Sequence, residues 1–203
     1  MLLFVGLGNP GAEYVRNRHN VGFMVIAEIA KHFRFGANRS RFEAIINEGT
    51  IAGEKIVALR PQTYMNESGR SVGKAMRFYK LTPADIFVFH DEIDLAFGKV
   101  RVKCGGGSAG NNGIKSIMAH ISPEFYRIRI GVGHPGNAKG HVLSDFSGEE
   151  RKEIAKIIDT IVQNADLLAQ RDPERYMSKI ALTTNPPRNA GPQKPKPTDE
   201  DKD

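Results

Sequence analysis

Two short runs in this chain are apolar at every position, and they constrain its fold more than any other feature. Residues 2–7 read Leu-Leu-Phe-Val-Gly-Leu, and residues 86–89 read Ile-Phe-Val-Phe. A strand with one face in water alternates apolar and polar residues; a strand covered on both faces does not. Both runs therefore predict central strands with helices packed above and below. The first ends in Gly8-Asn9-Pro10-Gly11, and the second delivers His90-Asp91-Glu92 at its carboxyl end.

The intervening segments fit that frame. Val21, Val25, Ile29 and Phe33 recur every four residues and predict an amphipathic helix over about 19–34. Residues 41–49 and 55–61 predict two strands with a hairpin turn at Gly53. Val72, Ala75, Met76 and Tyr79 predict a second helix. Residues 98–103 alternate as an edge strand, a helix is expected over about 112–121, and Ile128, Ile130 and Val132 mark another strand. Ser147 and Glu150 have capping-box spacing ahead of a helix carrying Ile154, Ile158, Ile161, Ala165 and Leu168. The fold class expected is α/β, a single domain over 1–184 with a central twisted mixed β-sheet flanked by helices. Five of the eleven prolines fall after residue 184. That Pro-rich C-terminal tail, 185–203, cannot bury apolar area and is expected to be disordered.

Composition excludes several classes. The 203 residues are 40% hydrophobic and 26% charged, ordinary for a globular chain. One cysteine, Cys104, forms no intramolecular disulfide and no multi-cysteine metal site. No apolar run reaches the roughly 18–20 residues of a membrane helix, and the start of the chain has no signal-peptide pattern. A cytoplasmic protein is expected. The net charge is +6, and the tail's four cations and four acids cancel, so the excess sits on the folded body. Such a body suits an anionic partner such as nucleic acid, although +6 also serves simple solubility.

Polar residues gather where strands end: Asn9 and His19, Asn66, Asp91, and the pair Asn111-Asn112. In open α/β sheets ligands bind beyond the carboxyl ends of the strands, so these loops are expected to converge on one pocket. Its contents would be one imidazole, one carboxylate and several carboxamides. A neutral imidazole can take a proton from water near neutral pH. A carboxylate on its other nitrogen fixes the tautomer. Carboxamides can donate to a developing oxyanion without adding a charge.

Other readings compete. Gly6-Leu7-Gly8-Asn9-Pro10-Gly11 matches the dinucleotide fingerprint, but Pro10 offers no N–H and 12–18 opens no apolar-periodic helix. Gly106-Gly107-Ser108-Ala109-Gly110 matches a nucleophile elbow, which would make Ser108 a serine-esterase nucleophile, with little chain left for its acid and histidine. His90, Asp91, Glu92 and Asp94 could hold a divalent metal with His19, but neighbours on a strand point to opposite faces. No Walker A lysine follows Gly110, and Cys104 reads as a structural thiol. Neither a metal nor a cofactor is expected.

Six co-linear blocks nonetheless resemble the bacterial peptidyl-tRNA hydrolase family. Val5–Gly11 with Tyr14 and 18–23 resembles its first block, and 61–69 (Pro-Gln-Thr-Tyr-Met-Asn-Glu-Ser-Gly) its second. Residues 90–95 resemble the third, 105–107 with 110–115 the fourth, and 127–136 and 142–146 the later ones. The resemblance implies a monomer that cleaves the ester between a peptide and the 3′-terminal ribose of tRNA. It implies His19 as catalytic base and Asp91 as its orienting partner. Asn66 and Asn112 would position water or substrate, and Asn9 would bind substrate. Tyr14 and Met65 would line the cleft, while Lys103 and Arg129 would clamp the tRNA 5′-phosphate. The chain departs from the family pattern at Ser108-Ala109 and at Asn111, where histidine is frequent. A non-catalytic tRNA-binding module is the remaining alternative.

Overall fold

The structure is a computed structural model describing residues 1–134 and 136–184; the Pro-rich tail therefore lies outside the described residues. The two apolar runs are β1 (Leu2–Gly6) and β5 (Ile86–Glu92), and every residue of both is buried. They pair in parallel at the centre of a seven-stranded sheet ordered β2-β3-β4-β1-β5-β7-β6. Here β2 is Arg39–Arg41, β3 Ala44–Ile51, β4 Glu54–Pro61, β6 Val100–Cys104 and β7 Tyr126–Gly131. β4, β1, β5 and β7 run parallel, while β3, β2 and β6 are antiparallel additions at the two edges. The sheet is mixed, as expected.

Parity along the strands divides the interior into two cores. Leu2, Phe4, Phe87, Phe89, Ile128 and Ile130 face α1 (Val21–His32) and the C-terminal helices α5 (Gly148–Gln163), α6 (Ala165–Ala169) and α7 (Pro173–Thr184). Leu3, Val5, Val57, Leu59 and Val88 face α2 (Ser68–Tyr79) and α3 (Asn112–Ile121). Among the described residues no helix is long and apolar enough to cross a membrane.

Local chemistry accounts for most boundaries, and contacts made elsewhere for the main departure from expectation. The β3–β4 turn puts Ala52 at φ 50° and Gly53 at φ 81°, the paired left-handed conformation a two-residue hairpin needs. The single strand expected over 41–49 is instead two, because Phe42 and Glu43 take left-handed φ of 58° and 54° and turn the chain between β2 and β3. Contacts made elsewhere hold that turn: Phe42 packs on Phe78 and Tyr79, and Glu43 pairs with Arg70 and Lys74. The Ser147–Glu150 capping box forms and opens α5. The helix expected to continue to Leu168 breaks at Asn164, whose side chain donates back to Thr160 O at 2.8 Å. The short helix α4 (Ala138–Val142) and helix α7 have no counterpart in the sequence reading.

Candidate active site

The chain leaves β1 for β4 on one side of the sheet and returns to β5 on the other, so β1 and β5 flank a topological switch point. Beyond their carboxyl ends lies a cleft of about 570 Å³ bordered by Asn9, His19, Met65, Asn66, Asp91 and Asn112. Residues far apart in sequence meet here because each closes a different parallel strand or opens the helix beside it.

His19 sits in a 3-10 turn, Arg18–Asn20, immediately before α1. That turn is held from both sides. Asn20 clamps the β1 loop, accepting from Asn9 N at 3.0 Å and donating to Asn9 O at 2.9 Å. Arg18, buried and stacked over Phe146, donates to Ser144 and Asp145 and pairs with Glu150 at 2.6 Å. The His19 imidazole is thus anchored between the first strand and the start of α5. Its Nδ1 lies 2.8 Å from Asp91 Oδ2. The carboxylate only accepts, so Nδ1 is the donor, and in the neutral tautomer this leaves Nε2 as the basic nitrogen.

The carboxamides divide into two kinds. Asn9 Oδ1 accepts from Met65 N at 2.8 Å, which ties the β1 and β4 loops together and leaves its amino group as the donor available to the cleft. Asn66 and Asn112 are exposed on the cleft rim, and among the described residues neither side chain is engaged by the protein. Apolar wall comes from Tyr64, Met65 and Ile93 and, across the opening, from Val142 and Leu143 around α4.

Other expected site residues lie apart. Tyr14 is half-buried on the 3-10 turn Ala12–Tyr14 and does not border the cleft. Lys103 and Arg129 both line a separate hollow of about 50 Å³ behind the glycine loop. Arg129 there donates to Glu92 Oε2 at 2.9 Å. The acidic run is dispersed: Asp91 serves His19, while Glu92 turns to Arg129 and to the Asp94 backbone N–H. Ser108 borders the small hollow and is hydrogen-bonded to no histidine among the described residues; His141 Nε2 is committed to Val132 O.

His90 is the unexpected group. It is 2% exposed, its Nδ1 donates to Asp91 O at 2.7 Å, and its Nε2 has no hydrogen-bond partner among the described residues. Burial pushes the imidazole below its ordinary 6.5, against the opposite pull of the Asp91 carboxylate. A histidine buried neutral must be protonated on unfolding, so below about pH 6.5 the unfolded chain binds the extra proton. Stability from this group is present above that pH and is lost on acidification, on the order of 1 kcal/mol per pH unit. Urea midpoints at pH 7.5 and 5.5 are expected to show the loss, with a smaller one in His90→Gln. Equal losses in both proteins would remove His90 as the cause.

The family model described as peptidyl-tRNA hydrolase matches residues 3–189. The chain belongs to the peptidyl-tRNA hydrolase family. The peptidyl-tRNA hydrolase of Parvibaculum lavamentivorans is 53% identical over 207 residues, covering 100% of both chains. That of Ruegeria sp. is 51% identical, covering 94% of this chain and 78% of the relative. A crystal structure of peptidyl-tRNA hydrolase from Acinetobacter baumannii superposes with a TM-score of 0.84 at 39% identity, covering 89% of this chain and 94% of that one. The family and fold expected from the six blocks are those found.

Proposed function

We propose that the cleft hydrolyses peptidyl-tRNA by a water that His19 activates. Family membership makes this chain a hydrolase of that ester; the assignment of steps to residues is our reading. The observation that carries it is the 2.8 Å His19–Asp91 contact at the mouth of a cleft rimmed by two uncommitted carboxamides. A water on His19 Nε2 loses its proton as its oxygen attacks the ester carbonyl. Asp91 stabilises the imidazolium that forms. Asn66, Asn112 and the Asn9 amino group donate to the carbonyl oxygen as it gains charge, or hold the substrate against it. The tetrahedral intermediate then expels the ribose 3′-oxygen, which takes the proton back from His19. Met65 forms part of the apolar wall beside the peptide.

Lys103 and Arg129 form the cationic spot that would receive the tRNA 5′-phosphate. Arg129 is a poor probe of this, because its removal strands the Glu92 carboxylate, which is only 4% exposed. Exposed Lys103 is the clean one. Acyl release from N-acetyl-aminoacyl-tRNA across a salt series tests both proposals together. Ser108→Ala is expected to match wild type, with no acylated protein in quenched reactions. Lys103→Ala is expected to bind more weakly and to flatten the salt dependence by roughly one unit. An inactive, folded Ser108→Ala protein would overturn the water mechanism in favour of a serine esterase. An unchanged salt slope would remove the phosphate assignment. A folded wild type that binds tRNA without cleaving it would leave only a binding module.

A further inference from the structure

We infer that Asn111 is a positioning residue for the His19–Asp91 pair. Its side chain performs two tasks at once. Oδ1 caps α3, accepting from Gly113 N at 3.0 Å and Ile114 N at 3.1 Å. Two N–H donors on one oxygen settle which way the amide faces, so its amino group points the other way. There it donates to Asp91 Oδ1 at 3.1 Å, while Asp91 Oδ2 holds His19. Both carboxylate oxygens are therefore engaged, one by the imidazole and one by the first residue ahead of α3.

The surroundings make this a fixed strut. Asn111 N bonds Ser108 O at 2.9 Å, and behind the loop Arg127 donates to the carbonyls of Gly106 and Gly107. The capped helix, the anchored loop and the end of β5 thus form one unit, with Asn111 as the joint. Asn111 sits outside the substrate-contacting set assigned above, and no role falls to it from the family resemblance.

Its chemical effect follows from charge. A neutral N–H on Asp91 Oδ1 draws negative charge away from the oxygen facing His19. The carboxylate then orients the imidazole without holding its proton too firmly. Most other charged groups near His19 are paired or set back, Lys139 being the exception. Arg18 is paired with Glu150, and Glu92 with Arg129 across the strand. His141 on α4 bonds Val132 O, His90 is buried neutral on the opposite sheet face, and Lys139 of α4 borders the cleft. Among the described residues, Asn111 alone hydrogen-bonds the second oxygen of Asp91.

This inference rests on His19 being the base, and the experiment separates the two. Asn111→Ser keeps a capping oxygen but removes the donor to Asp91; Asn111→Ala removes both. In both, kcat is expected to fall about 10-fold with KM within about twofold. In both, the acidic limb of the kcat/KM pH profile should move up by roughly half a unit to one unit. Only Asn111→Ala should also lower the thermal midpoint, because only it loses the cap. A purely structural role for Asn111 would move the midpoint and leave the pH profile in place. His19→Ala measured alongside decides which idea fails. If it is inactive while folded Asn111→Ser keeps the wild-type profile, the role of Asn111 falls alone. If it hydrolyses normally, both readings fall.

Discussion

His19→Ala should lower kcat/KM for N-acetyl-aminoacyl-tRNA by about 10²–10⁴-fold while the protein stays folded. That range is what a positioned general base supplies, and it corresponds to about 3–5 kcal/mol of barrier. Folding should survive because the turn is held by Arg18 and Asn20 rather than by the imidazole, whose hydrogen-bond partner among the described residues is Asp91. Asp91→Asn should fall in the same direction for a different reason. An amide can present an N–H to His19 Nδ1, which moves the ring proton to Nε2 and leaves no lone pair for water. Single-turnover acyl release, with far-ultraviolet circular dichroism as the folding check, measures both. A folded His19→Ala protein retaining more than about a tenth of wild-type activity would overturn the base assignment.

Gly22→Ala should be the most damaging single methyl in the fold. A Cβ there would lie 2.2 Å from Phe89 O and 2.4 Å from Leu7 N. These are backbone atoms of β5 and of the residue that directly follows β1, tied to each other by the Leu7 N–Phe89 O bond of 3.0 Å. Nothing at this crossing can rotate away. Relief requires moving α1 off the sheet, and with it the turn that carries His19. Overpacking ordinarily costs about 1–3 kcal/mol; clashes with two strands at once should exceed that, at about 3–5 kcal/mol of a total on the order of 5–15. Urea denaturation should show a collapsed midpoint and poor soluble yield. Gly107→Ala is the control, since a Cβ there meets nothing within 4 Å, and it should shift stability by no more than about 0.5 kcal/mol. A wild-type midpoint for Gly22→Ala would mean that the β1–α1 crossing is far more compliant than its geometry indicates.

Much of the site was legible before the fold. His19, Asp91 and the asparagines each stand where a strand ends, and the carboxyl-end rule draws them to one crevice. Their partnerships were not legible. His19 and Asp91 are 72 residues apart, and only the pairing of β1 with β5 makes them neighbours. Asn111 carried a readable signal as an asparagine ahead of a helix, but that signal speaks of capping and is silent about what the amide's other end touches. The Phe42–Glu43 turn shows the opposite limit. Neither residue favours left-handed backbone, so no local preference announces a turn that packing on α2 imposes.

The amino-acid sequence by itself determined most of the elements, though not α4, α7 or the Phe42–Glu43 turn, and the class of fold. Continuous apolar runs, helical periodicity, the Ala52-Gly53 turn and the Ser147–Glu150 box are governed by interactions within a few residues, and such interactions are written in local order. The tertiary structure alone decided which strands adjoin and which face of β5 meets the cleft. Alternation along β5 required Asp91 and Glu92 to part, yet only the layers on either side sent Asp91 to His19 and Glu92 to Arg129. Strand order and layer packing minimise the exposed apolar area of the whole chain, a sum that no short segment contains.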